Sequence, residues 1–391
     1  MRARLTHKGI KEYMNTTSVP TPVRANPVVH LGLPRMRTSG SVPADRPRMP
    51  DLIDRFGRVA RDLRVSLTDK CNLRCTYCMP AEGVQPVPGE RILTDAEVVR
   101  LVCIAVERLG VREVRFTGGE PLLRKGLEKI VAATSALSTD VGTRVETSLT
   151  TNALGLRHRA RRLKEAGLTR VNVSIDAADR ETYAALTRRD RFDDAVAGAR
   201  AAAEAGLLPV KVNAVLVRGV NDAQAVRLVA EALVNGYELR FIEQMPLGPS
   251  GKWTRSGMVA AEEILSRLEG AFKLVARPGT ERGSSPAELW DVAPGKVDGV
   301  EHPGGTVGVI ASITRPFCGD CDRTRLTADG QVRSCLFARE ETDLRSLLRA
   351  GADDDTIADA WRAAMWGKQP GHGVDDPSFL QPSRTMSAIG G

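Results

Sequence analysis

The sequence predicts an α/β fold: a partial (β/α)6 barrel of the TIM type, with a smaller C-terminal domain covering its open side. Two observations support this prediction. From residue 62, β-rich runs alternate with Ala/Leu/Arg-rich amphipathic stretches, and beyond residue 247 that alternation gives way to Gly/Pro-rich loops. Strand–helix alternation produces a parallel sheet, and six units are too few for a complete eightfold barrel. The predicted divisions are a disordered basic extension (1–50), the barrel (51–246) and the C-terminal domain (247–391).

Local patterns define the individual elements. The strand candidates are 62–68, 112–117, 144–150, 170–176, 209–217 and 238–244. Amphipathic helices lie between them, around 95–109, 123–137, 156–166, 192–205 and 222–235. Several end at Gly, as helix C-termini commonly do. In the C-terminal region the sequence predicts a strand around 305–313 and helices near 259–268, 342–349 and 354–366.

Alternation within the strands separates a polar face from an apolar face. In the first strand Arg64 and Ser66 oppose Leu63 and Val65, because successive side chains point to opposite faces. The later polar faces carry Arg115, Ser148, Thr150, Asn172, Ser174, Asp176, Lys211 and Asn213. Helices cover the outside of such a barrel, so the polar face points inward. Buried cations need anionic partners, and Asp176 can pair with only one of them, which favours a large phosphorylated ligand. An open antiparallel sheet with one face in water also alternates, but the intervening helices disfavour it.

The net charge of +8 is concentrated in the N-terminal extension. Residues 1–50 hold nine Lys or Arg against two acidic residues and so carry +7. A nucleic-acid-binding surface should lie on the folded domain, so this distribution predicts no nucleic-acid partner. No apolar run approaches the roughly 20 residues of a spanning helix, and no secretory signal is evident. We therefore expect a cytoplasmic protein without a membrane segment.

Six of the seven cysteines form two triplets. Their spacings are Cys71-x3-Cys75-x2-Cys78 and Cys318-x2-Cys321-x13-Cys335, while Cys103 lies inside an apolar helix and is expected to be a core residue. Such triplets indicate metal ligation in a reducing compartment. Three thiolates can bind three irons of a cubane cluster and leave the fourth iron open, whereas structural zinc sites use four ligands. For the second triplet alone, zinc with the distant His302 stays an alternative.

The segment from Ser66 to Pro80, SLTDKCNLRCTYCMP, resembles the radical S-adenosylmethionine (SAM) superfamily. More closely, the chain from about Phe56 to Gly391 is similar to the molybdenum cofactor biosynthesis protein A family of GTP 3′,8-cyclases. The resemblance implies two [4Fe–4S] clusters, SAM as cofactor and GTP as substrate. It also implies cyclisation of GTP to (8S)-3′,8-cyclo-7,8-dihydroguanosine 5′-triphosphate by a radical mechanism, in the first step of molybdenum cofactor biosynthesis. The implied partners are an electron donor of the flavodoxin or ferredoxin type and a downstream cyclic pyranopterin monophosphate synthase.

The same resemblance implies roles for individual residues. Cys71, Cys75 and Cys78 hold the cluster that binds SAM, and Cys318, Cys321 and Cys335 hold the cluster that binds the guanine base. The implied SAM contacts are Tyr77, Gly119 (in Gly118-Gly119-Glu120-Pro121), Ser174 and Met245. The implied GTP contacts are Arg64, Arg115, Thr150, Lys211, Arg323, Thr324 and Arg325.

The C-terminal Gly390 and Gly391 are implied to reach into the barrel and to be needed for activity. The sequence singles out no acid–base residue, and Arg64, Arg323 and Arg325 are the candidates for electrostatic work. Ala153 stands where the family usually has Gly. Two alternatives remain: another radical SAM enzyme with an auxiliary cluster, such as a peptide modifier, and a zinc-stabilised nucleic-acid-binding protein. The sequence leaves open whether the protein is a monomer or a homodimer.

Overall fold

The computed structural model describes residues 35–37, 43–249 and 251–390. Its strands are β1 (Arg35–Arg37), β2 (Asp62–Ser66), β3 (Glu113–Thr117), β4 (Glu146–Thr151), β5 (Arg170–Ser174), β6 (Val210–Val215), β7 (Glu238–Ile242), β8 (Leu274–Ala276), β9 (Glu288–Val292), β10 (Gly295–Val297), β11 (Val300–His302), β12 (Gly305–Ile310), β13 (Arg323–Leu326), β14 (Gln331–Arg333) and β15 (Glu340–Asp343). Its helices are α1 (Asp95–Glu107), α2 (Leu127–Ser135), α3 (Ala160–Glu165), α4 (Arg180–Thr187), α5 (Phe192–Glu204), α6 (Ala225–Val234), α7 (Ala261–Glu269), α8 (Leu344–Arg349), α9 (Asp354–Trp366) and α10 (Met386–Ile389).

One large sheet organises the described chain, in the order β1-β15-β14-β13-β2-β3-β4-β5-β6-β7-β12-β9-β8. Strands β2 to β7 are parallel and adjacent in sequence order, as predicted. The prediction of an α/β partial barrel with a C-terminal region is confirmed. The C-terminal region does more than cover the barrel, however, because β12 pairs in parallel with β7 and β13 pairs in parallel with β2. Both edges of the six-stranded core are therefore extended by C-terminal strands.

The apolar strand faces pack against the surrounding helices, as the alternation predicted. Leu63, Val65 and Phe116 are fully buried, and burial of such side chains from water is the main favourable contribution to the fold. Helices α1, α4, α8 and α9 begin at side-chain caps. At the start of α1 the Thr94 hydroxyl accepts from the Glu97 amide at 3.2 Å, and the Glu97 carboxylate accepts from the Thr94 amide at 2.7 Å. This reciprocal capping box fixes the helix directly after the first cysteine loop.

The helix α4 is absent from the sequence prediction. It begins after Asp179, whose carboxylate accepts from the Thr182 amide at 2.9 Å. The helix has only eight residues, too few for its apolar side chains to produce a clear 3.6-residue period. Its C-terminal end has a structural role in the candidate site described below.

Residues 43–50, which belong to the extension predicted to be disordered, contact the rest of the described chain. Arg46 is only 6% exposed and donates to the carbonyl oxygens of Met49 and Asp51. Asp45 accepts a hydrogen bond from the Trp366 indole at 3.1 Å. Composition alone missed these contacts because a few anchors, a buried guanidinium and a tryptophan partner, suffice to order the segment. Strand β1 also pairs with β15, whereas residues 1–34 and 38–42 lie outside the described residues.

In the described part of the chain, no helix combines the length and the apolarity needed to cross a membrane.

Candidate functional site

A single cavity, here called the central cavity, is enclosed by the barrel strands and by the C-terminal region. Each strand from β2 to β7 contributes polar or charged side chains to its lining, namely Arg64, Arg115, Thr117, Thr150, Thr151, Ser174, Asn213 and Arg240. The prediction that the polar strand faces point inward is confirmed. From the other side the cavity is lined by Phe317, Arg323, Arg325, Met386 and Ser387. Residues far apart in sequence therefore line one cavity.

The first triplet, Cys71, Cys75 and Cys78, also lines the central cavity. Its loop follows β2 and is fixed by the end of α4. The amides of Arg74 and Thr76 donate at 2.9 Å to the carbonyl oxygens of Thr187 and Leu186. These carbonyls belong to the last turn of a helix, where they have no partner within the helix. Helix α4 therefore holds the cysteine loop in place.

The three sulfur atoms of the first triplet lie close enough to influence one another. Burial raises the pKa of Cys78 to about 12, and the nearby Cys71 thiol adds to this rise. Burial also raises the pKa of Cys75 well above its usual range, with additional contributions from Asp176 and Cys78. A bound metal centre reverses this situation, because a coordinating thiol is deprotonated. The Leu73 amide and the Asn152 side chain donate to the Cys71 sulfur at 3.4 and 3.9 Å, as expected around an iron–sulfur ligand.

The loop Gly118-Gly119 packs directly on the backbone that precedes the first triplet. The Gly119 amide donates to the Thr68 carbonyl at 2.7 Å. A Cβ at Gly119 would lie 2.3 Å from the Lys70 carbonyl, and one at Gly118 would lie 2.4 Å from the Thr68 carbonyl. Glycine lets a ligand approach the backbone closely, as the predicted SAM contact of Gly119 requires. The structure adds a second reason, since only glycine fits against residues 68–70.

Glu120 joins three loops beneath the first triplet. Its buried carboxylate accepts from the Leu122 amide at 2.9 Å, the Thr151 hydroxyl at 2.7 Å and the Asn152 amide at 2.8 Å. The Asn152 side chain in turn donates to the Asn72 side chain at 2.7 Å. Burial raises the pKa of Glu120 to about 7 despite these donors. Glu120 was part of the quoted GGEP motif, but its bridging role was not predicted.

Tyr77, Ser174 and Met245, the predicted SAM contacts besides Gly119, all line the central cavity. The Tyr77 hydroxyl donates to the Asp176 carboxylate at 2.7 Å. The same carboxylate accepts from the Val215 amide at 2.8 Å, and burial raises the pKa of Asp176 to about 6. The sequence analysis regarded Asp176 as a partner for a barrel cation. That interpretation is wrong, because both of its oxygens are occupied by Tyr77 and Val215.

Positive charge dominates the central cavity. Its cationic lining residues are Arg64, Arg115, Arg240, Arg323 and Arg325. Asp62 lies 3.6 Å from Arg64 and 3.9 Å from Arg115 and shares its strand face with Arg64. Asp62 was not predicted as a partner of these arginines because it stands at the first position of β2. Burial and the neighbouring Arg115 lower the pKa of Arg64 well below its usual range. This excess of arginine fits an anionic ligand.

Two predicted GTP contacts lie elsewhere. Thr324 alternates with its arginine neighbours along β13, and its fully buried hydroxyl accepts from the Trp361 indole at 2.9 Å. The Thr324 side chain therefore faces α9, and a contact of Thr324 with GTP stays a prediction. Lys211 pairs with Glu238 at 3.4 Å and is not among the residues that line the central cavity. The predicted need of Lys211 for a ligand anion is met by this carboxylate.

The second triplet, Cys318, Cys321 and Cys335, lies in the segments that precede β13 and follow β14. Phe317 and Leu336, which are sequence neighbours of these cysteines, line the central cavity, but the cysteines themselves do not. Burial would raise the pKa of Cys321, but Arg323 and Lys368 outweigh it, so the pKa of Cys321 is lowered. A thiol that ionises readily is suited to metal ligation.

Among the described residues, no group of three His, Cys, Asp or Glu side chains has the geometry to bind a single metal ion. A four-iron cluster needs wider spacing, since each thiolate binds a different iron.

Comparisons with known proteins identify the family. The Radical SAM superfamily model matches residues 65–232, and the Molybdenum Cofactor Synthesis C model matches residues 237–374. The chain is 59% identical to a Corynebacterium glutamicum protein named GTP 3′,8-cyclase over 350 residues, which cover 89% of this chain and 91% of the relative. The chain belongs to the GTP 3′,8-cyclase family.

Further relatives with the same name agree. A Streptomyces coelicolor GTP 3′,8-cyclase is 60% identical over 87% of this chain and 96% of its own length, and one from Mycolicibacterium smegmatis is 57% identical over 93% and 99%. Among solved structures, Streptococcus suis SuiB bound to S-adenosylmethionine has a TM-score of 0.52 at 14% identity, covering 83% of this chain and 67% of that chain. At this identity the likeness concerns the fold alone. Membership of the GTP 3′,8-cyclase family disfavours both alternatives, the peptide modifier and the zinc-stabilised nucleic-acid-binding protein.

The C-terminal segment of this GTP 3′,8-cyclase family member enters the central cavity. The Gly390 carbonyl accepts from the Arg325 guanidinium at 2.6 Å. Gly390 has a φ of +78°, and a Cβ there would lie 2.8 Å from Thr117 and 3.2 Å from Ser66. Only glycine combines this backbone conformation with so close an approach. Gly391, for which a role was also predicted, lies outside the described residues.

A buried ionic network anchors the residues that lead to this segment. Arg384 lies 2.9 Å from Asp329 and 2.7 Å from Glu341, and Glu341 also pairs with the buried Arg333. Removal of one partner from such a network leaves an uncompensated buried charge. The network therefore fixes the direction in which the C-terminus enters the cavity.

Ala153, the departure from the family pattern, has a positive φ of 63°. An alanine in this backbone conformation carries a conformational cost that a glycine would not. Its methyl group is fully buried, and it faces Gly198 on α5, where a Cβ would lie 2.9 Å from the Ala153 Cβ and 2.3 Å from its carbonyl. The glycine on the helix leaves room for the alanine in the loop.

Proposed function

We propose that this chain converts GTP to (8S)-3′,8-cyclo-7,8-dihydroguanosine 5′-triphosphate, the first step of molybdenum cofactor biosynthesis. The observation that carries the proposal is the shared cavity. Cys71, Cys75 and Cys78 line the same enclosed space as Arg323 and Arg325. The relatives named GTP 3′,8-cyclase align with nearly the whole of this chain, which supports the same substrate.

The first triplet would hold a [4Fe–4S] cluster and SAM, with Gly119, Tyr77, Ser174 and Met245 around the cofactor. When bound, these groups supply a 5′-deoxyadenosyl radical for removal of the 3′ hydrogen of GTP. The protein positions the parts. Asp176 fixes the Tyr77 ring through its hydroxyl, while Glu120 and the end of α4 hold the loops that surround the cofactor.

The second triplet would hold a second [4Fe–4S] cluster that binds the guanine base. Arg323 and Arg325 line the cavity from β13, and Arg64 and Arg115 line it from the adjacent strands β2 and β3, with Arg325, Arg64 and Arg115 side by side in register. Guanidinium groups suit a triphosphate because they donate in pairs and stay charged. Arg323 also lies over the Phe317 ring at 4.7 Å, which restricts its direction. Thr150 adds a hydroxyl to the lining.

The electron donor would be a reduced flavodoxin or ferredoxin, and a cyclic pyranopterin monophosphate synthase would consume the product. Each of the seven cysteines is free, and iron–sulfur ligands require this reduced state, so we place the protein in the cytoplasm.

Anaerobic reconstitution with iron and sulfide, followed by GTP, SAM and a reductant, tests the proposal. Deoxyadenosine and the cyclised nucleotide should form together in equal amounts. A Cys103→Ala variant serves as the matched control, because Cys103 lies on α1 away from both triplets. Deoxyadenosine without a cyclised nucleotide would contradict the substrate and leave the radical SAM chemistry standing.

A further inference from the structure

Lys368 is a buried cation beside the second triplet that the proposed function does not use. It follows the last turn of α9 after Gly367, and the residue is only 4% exposed. Removing a lysine ammonium from water is costly unless charge and hydrogen bonds compensate. An ammonium at this position therefore needs a specific reason.

The ammonium of Lys368 has three acceptors, which match its three N–H donors. They are the Cys321 carbonyl at 2.9 Å, the Cys321 sulfur at 3.4 Å and the Arg323 carbonyl at 3.0 Å. None of these acceptors is a carboxylate. The only one that can carry a full negative charge is the cysteine sulfur, once it is a thiolate.

The first triplet offers an internal comparison. The donors to the Cys71 sulfur are the Leu73 amide and the Asn152 side-chain amide, which are both neutral. The two sites thus differ by one fixed positive charge at hydrogen-bonding distance from a ligand sulfur. Charge and hydrogen bonds at the sulfurs are among the factors that set the reduction potential of an iron–sulfur cluster.

We propose that Lys368 is a positioning residue of the second cluster: it holds the Cys321 thiolate and the backbone of Arg323 in place, and it makes that cluster easier to reduce. The inference rests on the proposed function, in which the second triplet binds a cluster. A fixed cation stabilises the reduced, more negative cluster more than the oxidised one, because the attraction grows with the charge. Through the Arg323 carbonyl the same ammonium also fixes one arginine of the substrate cavity.

The test isolates each cluster in the full-length protein. A Cys78→Ala background keeps only the second cluster, and a Cys335→Ala background keeps only the first. Lys368→Met, which has a similar length without charge, is introduced into both, and the reduction midpoint is measured by electron paramagnetic resonance. Lys129→Met, an exposed lysine on α2, is the matched control.

In the Cys78→Ala background, Lys368→Met should shift the reduction equilibrium at least about tenfold towards the oxidised cluster, which is about 59 mV for one electron. The midpoint in the Cys335→Ala background should not move. Lys368→Gln keeps amide donors without charge, so it should retain the cluster and show the same direction of shift. An unchanged midpoint in a cluster-retaining variant, or an equal shift in both backgrounds, would overturn the inference.

The same Cys78→Ala protein distinguishes failure of the proposed function from failure of this inference. If the Cys78→Ala protein alone bound no iron and sulfide after reconstitution, the second cluster itself would be wrong, and the role of Lys368 would fall with it. If that protein bound a cluster whose reduction midpoint was the same with and without Lys368→Met, only the inference about Lys368 would be wrong.

Discussion

The two cysteine triplets have the same number of thiols but differ in the charges next to individual sulfur atoms. Around the first triplet the donors to sulfur are neutral amides, and Glu120 and Asp176 raise the pKa values of its thiols further after burial. In the second, Arg323 and Lys368 lower the pKa of Cys321, whereas burial raises the pKa of Cys318. A neutral-to-anionic site suits the sulfonium cation of SAM, and the arginines near the second triplet suit the triphosphate of a nucleotide whose base lies at the cluster. The difference suggests that the fold sorts two ligands by charge within one cavity.

Removal of one cysteine from either triplet should have the largest effect. Cys78→Ala and Cys335→Ala should each abolish formation of the cyclised nucleotide and reduce the bound iron by about half, because an iron–sulfur cluster depends on all of its thiolates. Iron and sulfide analysis after anaerobic reconstitution, together with a turnover assay, measures both quantities. The Cys103→Ala control should behave like the wild type, and retention of full iron by either triplet variant would contradict the account.

The anionic side of the comparison can be tested through Glu120. Its pKa of about 7 in the folded protein exceeds the usual 4.5, so the folded state binds the proton more tightly than the unfolded state. The resulting stabilisation is complete below about pH 4.5 and is lost as the pH rises through 7. Its size is roughly 3 kcal/mol. Glu120→Gln should flatten this part of the pH profile.

Denaturant unfolding of both proteins between pH 4.5 and pH 8 measures the effect. Profiles that run parallel for wild type and variant would show that Glu120 is ionised throughout, and the first site would then be more anionic than described.

The cationic side can be tested through Arg325. Arg325→Gln should weaken GTP binding by about 10- to 100-fold, since a hydrogen bond to a charged group contributes about 1.5–3 kcal/mol. SAM binding should be unchanged. Equilibrium dialysis with each ligand measures this, with Arg161→Ala, an exposed arginine on α3, as the control. Equal weakening of both ligands would mean that the two sites are not separated by charge.

The smallest effect is expected at Ala153, in the loop that carries Asn152 beside the first triplet. Ala153→Gly relieves a positive φ but removes a buried methyl group and increases the freedom of the unfolded chain. The two contributions nearly cancel, so the free energy of unfolding should change by less than about 1 kcal/mol. Thermal unfolding measures the change. A fall in the midpoint temperature larger than the one that corresponds to about 1 kcal/mol would show that the Ala153–Gly198 contact dominates.

Strand alternation and cysteine spacing predicted most of the central cavity. The polar faces of β2 to β7 were predicted from sequence because a strand has a strict two-residue period. Asp62 belonged to the same period and could have been found in the same way. The roles of Lys368 and of the end of α4 could not be predicted, because they depend on contacts between distant segments with no local pattern. The orientation of the Thr324 side chain toward Trp361 was not predicted, because a motif transfers residue identities, whereas alternation along β13 decides which way each side chain points.

The most direct test is to ask which cluster responds to which ligand. Electron paramagnetic resonance spectra of the reduced Cys335→Ala and Cys78→Ala proteins are recorded with and without SAM and GTP. We predict that SAM changes only the spectrum of the cluster held by Cys71, Cys75 and Cys78, and that GTP changes only that of the cluster held by Cys318, Cys321 and Cys335. A response of the second cluster to SAM, or of the first to GTP alone, would contradict the division of labour between the two sites.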